Sequence, residues 1–248
     1  MIKKPDTILP LMREGIDGSL VLWFRGQGSR GLSNKILDLI HNGNHGTIVG
    51  ASWKNSPLNH PVLSFDGIDD KVVVGNASTF AFLHKTNVQW TASFWIKLTT
   101  TGSTDVFLTT GLGGGTGTGA DIYVTGTPKT FGVMISRGVG ASFVSGTITL
   151  QGTYPNDNAW HHVVFTWNHA LANSNGNYYL DGALVHTLNK TGNTPSADDP
   201  SHALSVAGDA GFAAWLTGLM DEVRIYNRVL TMSEIGDVYN LTKQNYGR

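Results

Sequence analysis

Phe65-Asp66-Gly67-Ile68-Asp69-Asp70 places three carboxylates within five residues. Turns rich in carboxylate and carbonyl oxygens suit calcium, a hard cation that takes oxygen ligands in flexible geometry. The same residues also fit an Asx-type turn whose carboxylates bind their own backbone amides. A second acidic point, Asp221-Glu222, opens a run that ends Arg224-Ile225-Tyr226-Asn227-Arg228. If both points lay on one rim, they could share one ion.

Other pairings carry less chemistry. His161 and His162 are adjacent, and adjacent residues on a strand point to opposite faces, so they cannot chelate one ion. One imidazole is expected against the core edge and the other in solvent, with Trp160 and Trp167 anchoring the ends of the strand. Glycoside hydrolysis needs two carboxyl groups facing one cleft. The glutamates are Glu14, Glu222 and Glu234, and none has a carboxylate two or four residues away on a strand. The glycine run Gly111–Gly119 lacks the Lys-Ser or Lys-Thr of a phosphate loop and leads into a strand instead of a helix. No Gly-x-Ser-x-Gly elbow occurs, and the absence of cysteine removes thiolate catalysis, disulfides and zinc-cysteine sites. No catalytic residues are assigned, and no enzyme is expected. Sugar binding needs aromatic faces beside polar groups. Tyr123, Tyr154, Phe212 and Trp215 stand in loop or strand-end settings that suit it.

The elements that must position these residues are strands. Only 14% of the 248 residues are charged, and 31 are glycine. That composition disfavours helical bundles, which need charged outer faces, and favours short strands joined by turns. Strands are expected at Ser19–Phe24, Val62–Phe65, Lys71–Val74, Gln89–Leu98, Asp105–Thr109, Asp121–Thr125, Thr130–Ser136, Ala141–Leu150, Trp160–Asn168, Gly176–Leu180, Ala183–Leu188, Ala203–Ala207 and Gly218–Tyr226. In Ala92–Leu98, Phe94, Ile96 and Leu98 share one face and Ser93, Trp95 and Lys97 the other, so one side packs and the other is partly wet. Asp181-Gly182 between two strand-like runs signals a hairpin with a type I′ turn. Thr231-Met232-Ser233-Glu234 reads as a capping box before one short terminal helix with Ile235, Val238 and Tyr239 on its apolar face. The sum is an all-β, two-sheet antiparallel sandwich in one domain, residues 19–248, preceded by an arm, Met1–Gly18.

These segments, in order, resemble the laminin-G-like, concanavalin A-like lectin/glucanase superfamily, in its pentraxin-related jelly-roll branch. The residues that carry the resemblance are Leu20-Val21-Leu22-Trp23-Phe24, Asp38, Asn42–Thr47, Trp53, Leu63–Asp70, Phe94-Trp95-Ile96-Lys97, Trp160–Val164, Tyr179-Leu180-Asp181-Gly182, Gly218–Leu230 and Ser233-Glu234-Ile235. The resemblance implies a jelly roll with loops gathered at the rims. It also implies calcium as the ion, with Asp66, Asp70 and Asp221 as its carboxylate donors. The hydrolase branch carries closely spaced acids on one strand, a motif this chain lacks.

A net charge of -1 without a basic cluster excludes nucleic acid as the expected partner. No apolar stretch is long enough to span a bilayer, and no export signal is visible near Met1. The expected role is a non-catalytic binding or structural module. The leading setting is a phage or viral surface component such as a decoration, tail or fibre protein, made in the cytosol, placed on the virion and bound to virion or other protein partners. The arm would then be an attachment segment, and homo-oligomers fit such a role. The runner-up is a cellular lectin-like module that binds glycans.

Overall fold

The computed structural model describes residues 17–248 apart from 28, 30–31, 33, 41, 77, 86–88, 99–103, 112–117, 127–128, 138–143, 150–154, 193–201 and 210–213. It is a sandwich of two antiparallel sheets. The first orders Ala183–Leu188, Gly176–Leu180, His161–Asn168, Gln89–Leu98, Thr217–Tyr226, Pro61–Asp66 and Ser52–Asn55, with Leu20–Phe24 also paired to Thr217–Tyr226. The second orders Thr191–Gly192, Val144–Thr149, Thr130–Arg137, Thr118–Thr125, Thr104–Thr109, Leu204–Val206, Lys71–Val74, Gly46–Val49 and Lys35–Ile36. A small ribbon pairs Gly208–Asp209 with Ala214–Trp215.

Alternation explains the layer between the sheets. Phe94, Ile96 and Leu98 face inward with Phe65, Phe107, Phe131, Val163 and Phe165 in one buried cluster. Phe131 and Phe165 stack with ring centroids 3.8 Å apart, and Tyr178 lies 5.2 Å from Phe165. Each fully buried side chain of this size contributes about 1.5–3 kcal/mol.

The opposite face of Gln89–Leu98 departs from expectation. Ser93 and Trp95 are buried there as completely as their inward neighbours. The helix α1 (Met232–Thr242) and the 3-10 turn after it, Lys243–Tyr246, lie across this face. Trp95 stacks 4.3 Å from Tyr246 and 5.8 Å from Tyr239, and its indole N–H donates to Thr242 Oγ1 at 2.9 Å. At its centre the first sheet is therefore buried on both faces. His162 lies under the same cover, where it shares a 2.9 Å hydrogen bond with Ser93. Burial, then the Arg224 charge, push its pKa down to about 3. Neither histidine is in solvent: His161 is also buried and bonds to Asp181 at 2.9 Å and Asp157 at 3.0 Å. Trp160 and Trp167 are both buried at the strand ends.

Local signals place the connections. Asp181 and Gly182 have φ of 50° and 81°, the positive pair that a type I′ turn requires. Thr231 caps α1, accepting from the Glu234 N–H while the Glu234 carboxylate accepts from the Thr231 N–H. Glu234 also pairs with Arg228, which reaches Asp17 at 2.7 Å. Of the expected arm, residues 1–16 lie outside the described residues.

Candidate functional site

The two acidic points occupy different environments. Along Thr217–Tyr226, residues 217–220 pair with Pro61–Asp66, while 223–226 pair with Leu20–Phe24. Asp221 and Glu222 stand at the changeover, in a bulge where Glu222 adopts φ 53°. Among the described residues no strand backbone fills this gap, and side chains do. Asp221 accepts from the Gly26 N–H at 2.8 Å, His60 Nε2 at 2.8 Å and the Tyr246 hydroxyl at 2.7 Å. Glu222 accepts from the Trp23 indole at 2.7 Å and pairs with Arg25 and Arg224, each at 2.9 Å. The Arg224 guanidinium lies 4.5 Å from the Trp23 ring centroid. Asp221 and Glu222 are only 3% and 2% exposed.

The expectation that Asp221 joins Asp66 and Asp70 around one ion is therefore corrected. Thr217 is the partner of Asp66 in the ladder, and Asp221 lies four residues further along that strand, about 13 Å at strand rise. Its carboxylate ties the C-terminal turn and the 55–60 loop to the sheet.

The other acidic point is a turn at the end of a strand. Asp66 Oδ1 accepts from the Ile68 N–H at 2.8 Å, and Asp70 Oδ2 accepts from the Asp66 N–H at 2.9 Å, so the Asx-type turn is formed. Donor oxygens of Asp66, Asp69 and Asp70 nonetheless lie within 4.8 Å of one another. Among the described residues, no lysine or arginine pairs with any of the three. Burial raises the Asp70 pKa, as do the charges of Asp66 and Asp69, against the lowering effect of the Asp66 amide. The Asp70 carboxylate lies on Gly50, where a Cβ would meet Oδ1 at 2.0 Å; the φ of 77° also favours glycine there. A hard, all-oxygen donor set of this kind could hold a cation such as calcium.

Trp215 belongs to the same rim. Its strand pairs with Gly208, and a Cβ on Gly208 would meet the indole at 2.3 Å and the Asp70 carbonyl at 2.8 Å. Only glycine lets the ring and the acidic turn approach this closely. Trp215 is half-buried, with Lys71 Nζ 5.6 Å from its ring centroid. Ile68, 69% exposed, stands at the tip of the turn. Folding thus brings Asp66, Asp70 and Trp215 together, and adds Asp69 and Lys71. Asp69 was legible in the motif; Lys71 carried no signal, because a lysine opening a strand is ordinary.

Tyr123 lies elsewhere, in the second sheet, with its ring over Gly132 of the adjacent strand. Burial, then Asp121, raise its pKa. Tyr154 and Phe212 lie outside the described residues. The described glutamates are engaged in structure, Glu222 in the bulge and Glu234 in the helix cap.

Two antiparallel sheets packed over one apolar layer define a β-sandwich. The chain belongs to the concanavalin A-like lectin/glucanases superfamily, whose laminin G family model matches residues 66–236. No curated protein matches it in sequence. Among solved structures, the botulinum neurotoxin DC binding domain in complex with SialylT superposes with a TM-score of 0.61 at 12% identity, covering 90% of this chain and 52% of that one. The binding domain of Paraclostridial Mosquitocidal Protein 1 gives 0.61 at 14%, covering 92% and 53%. The chain thus spans about half the length of these toxin domains. Domain 4 of AbnA, an extracellular arabinanase from Geobacillus stearothermophilus, in complex with arabinotriose, gives 0.58 at 16%, covering 89% and 98%. At these identities the likeness concerns the fold.

Proposed function

We propose that the protein is a non-catalytic glycan-binding module, with its site on the rim formed by Asp66, Asp69, Asp70 and Trp215. The observation that carries the reading is the approach of a half-exposed indole to an acidic turn whose carboxylates make no ion pair among the described residues. An indole face offers a sugar ring an apolar surface, and carboxylates accept from its hydroxyls. Calcium held by Asp66, Asp69 and Asp70 would order the turn and present a Lewis-acidic edge to hydroxyl oxygens. The sugar-bound structures of the toxin and arabinanase domains support a glycan as the ligand class. Attachment at a virion surface is one setting in which such a module would work, and the low charge of the chain is compatible with docking on neighbouring proteins.

Thermal unfolding with calcium and with a chelator, followed by a glycan array under the better condition, tests the reading. Calcium at about 100 times its Kd should add roughly 2.7 kcal/mol. Trp215→Ala should weaken the best glycan about tenfold, measured at a temperature where the variant is folded. An array without hits would remove the glycan reading and shift weight to a virion or structural role. A melt indifferent to calcium would remove the ion alone.

A further inference from the structure

The acidic turn borders a sheet face of opposite charge. In Lys35–Ile36, Gly46–Val49, Lys71–Val74 and Leu204–Val206 of the second sheet, the residues Ile36, Ile48, Val72, Val74, Leu204 and Val206 enter the buried layer. Side chains alternate along a strand, so Lys35, Thr47, Val49, Lys71, Val73 and Ser205 face outward. Register aligns them: Ser205, Val73, Thr47 and Lys35 are successive cross-strand partners in one row, and Lys71 pairs with Val49 in the next. Lys35, Thr47 and Val49 are exposed, while Lys71, Val73 and Ser205 are half-buried.

This strip carries two lysines and no carboxylate, in a chain whose net charge is -1. Among the described residues neither Lys35 nor Lys71 forms an ion pair. Two strands across and two residues along separate their Cα atoms, about 12 Å. Trp215 stands at the end of the strip, with Lys71 Nζ 5.6 Å from its ring centroid. The Ser205 hydroxyl donates to the Gly208 carbonyl at 2.6 Å, which anchors the ribbon that carries the indole. Asp70, next to Lys71 in sequence, is buried and accepts from the Asp66 N–H. The Lys71 ammonium is thus left for an anion that the fold does not supply among the described residues.

We propose that this strip extends the rim site and makes its ligand an acidic oligosaccharide, one that bears carboxylate or sulfate groups; the inference rests on the glycan reading above. A sugar ring at Trp215 brings an acidic substituent to Lys71, and Lys35 meets a second acidic group further along the ligand. Between them, Val49 and Val73 give the sugar C–H faces an apolar surface, and the exposed Thr47 hydroxyl bonds to its hydroxyls. A neutral glycan would leave both ammonium groups without a counterpart. A continuous polyanion such as nucleic acid would set its phosphates against Asp66, Asp69 and Asp70 as well, with only two lysines to hold it. A short ligand with spaced acidic groups meets the lysines and spares the carboxylates.

An array printed with neutral, carboxylated and sulfated forms of the same glycan backbones, followed by titration of the best backbone in calcium and in chelator, tests it on the full chain. The acidic forms should bind at least about tenfold tighter than their neutral counterparts, by a margin that shrinks as salt rises. The carboxylated and sulfated forms show which acid the strip takes. Lys71→Met and, separately, Lys35→Met should each cut the acidic-to-neutral ratio by about three- to fivefold, measured where the variants are folded. Lys35→Met decides the matter if Lys71→Met disturbs the packing of Trp215. Neutral forms that bind as well as acidic ones overturn the inference and leave the glycan reading standing. So does an acidic preference that both lysine variants leave intact, or one that disappears in chelator while neutral forms still bind, since a metal ion would then be recognising the acid. An array without hits removes the glycan reading, and the inference falls with it.

Discussion

Asp221-Glu222 and Asp66–Asp70 look alike as strings of acids, yet one is wired into the fold and the other is not. In the first, the carboxylates are met by His60, Tyr246, Gly26, Trp23, Arg25 and Arg224. In the second, they are met by their own turn's amides and by one another. A carboxylate that closes a gap in a sheet is fully partnered before a ligand arrives. One at a rim retains charge for a ligand to neutralise. The difference follows from what surrounds each pair: Arg224 on the same strand and Arg25 just past Leu20–Phe24 in one case, glycines and a tryptophan in the other.

The sharpest way to break the comparison is to remove charge on each side, since the signs should be opposite. Glu222→Gln leaves Arg25 and Arg224 without their shared anion in a buried setting. A loss on the order of 3–5 kcal/mol is expected in urea denaturation. A loss under about 1 kcal/mol would mean that the arginines find other partners and the bulge is not held by charge. Tyr246→Phe tests the other half of the corner. It removes one of three donors to Asp221 while keeping the stack on Trp95, and about 1–3 kcal/mol should be lost. No change would assign the docking of the C-terminal turn to stacking alone.

This corner is also where the sequence was least legible. The Asp-Gly hairpin, the capping box and the bounds of Gln89–Leu98 could be read because turn chemistry and alternation are local. The short strands Gly46–Val49 and Ser52–Asn55 were not, because a few residues broken by polar side chains give no period. The cover over Trp95 depends on a segment some 140 residues later, and alternation cannot say that both faces of a strand are dry. The partners of Asp221 are equally remote: His60 is 161 residues away. At the rim, Asp66, Asp69 and Asp70 could be read because they fall within five residues, whereas their meeting with Trp215 passes through Gly208 and the ladder.

On the rim, Asp70→Asn should act in the opposite direction from Glu222→Gln. The folded Asp70 pKa is raised, so its contribution is fully present below the unfolded value near 4 and is lost as pH rises through the folded value. At neutral pH with a chelator, the amide relieves burial of a charge and repulsion from Asp66 and Asp69. The variant should be more stable than the parent, by about 1 kcal/mol or less. In calcium the order should reverse, because the parent gains an ion that the variant holds poorly. Destabilisation in chelator would show that the carboxylate already has a cationic partner, and the contrast with Glu222 would be lost.

The smallest effect concerns His161, where acids and bases meet under the edge of the C-terminal turn. Burial works to lower its pKa, but the hydrogen bond and charge of Asp181, with help from Asp157, raise it despite the nearby Arg248. A histidine whose folded pKa is raised contributes stability below the unfolded value of about 6.5, and this is lost as pH rises through the folded value. Its neighbour His162, held down to about 3 when folded, titrates in this window only when unfolded and adds a slope of opposite sign that parent and variant share, so the difference between them belongs to His161. Unfolding free energies measured between pH 6 and 8 should fall by about 0.5 kcal/mol more in the parent than in His161→Gln. Equal slopes would mean that Asp181 is satisfied by Arg248 and the His162 N–H alone, making the salt bridges of His161 incidental to the fold.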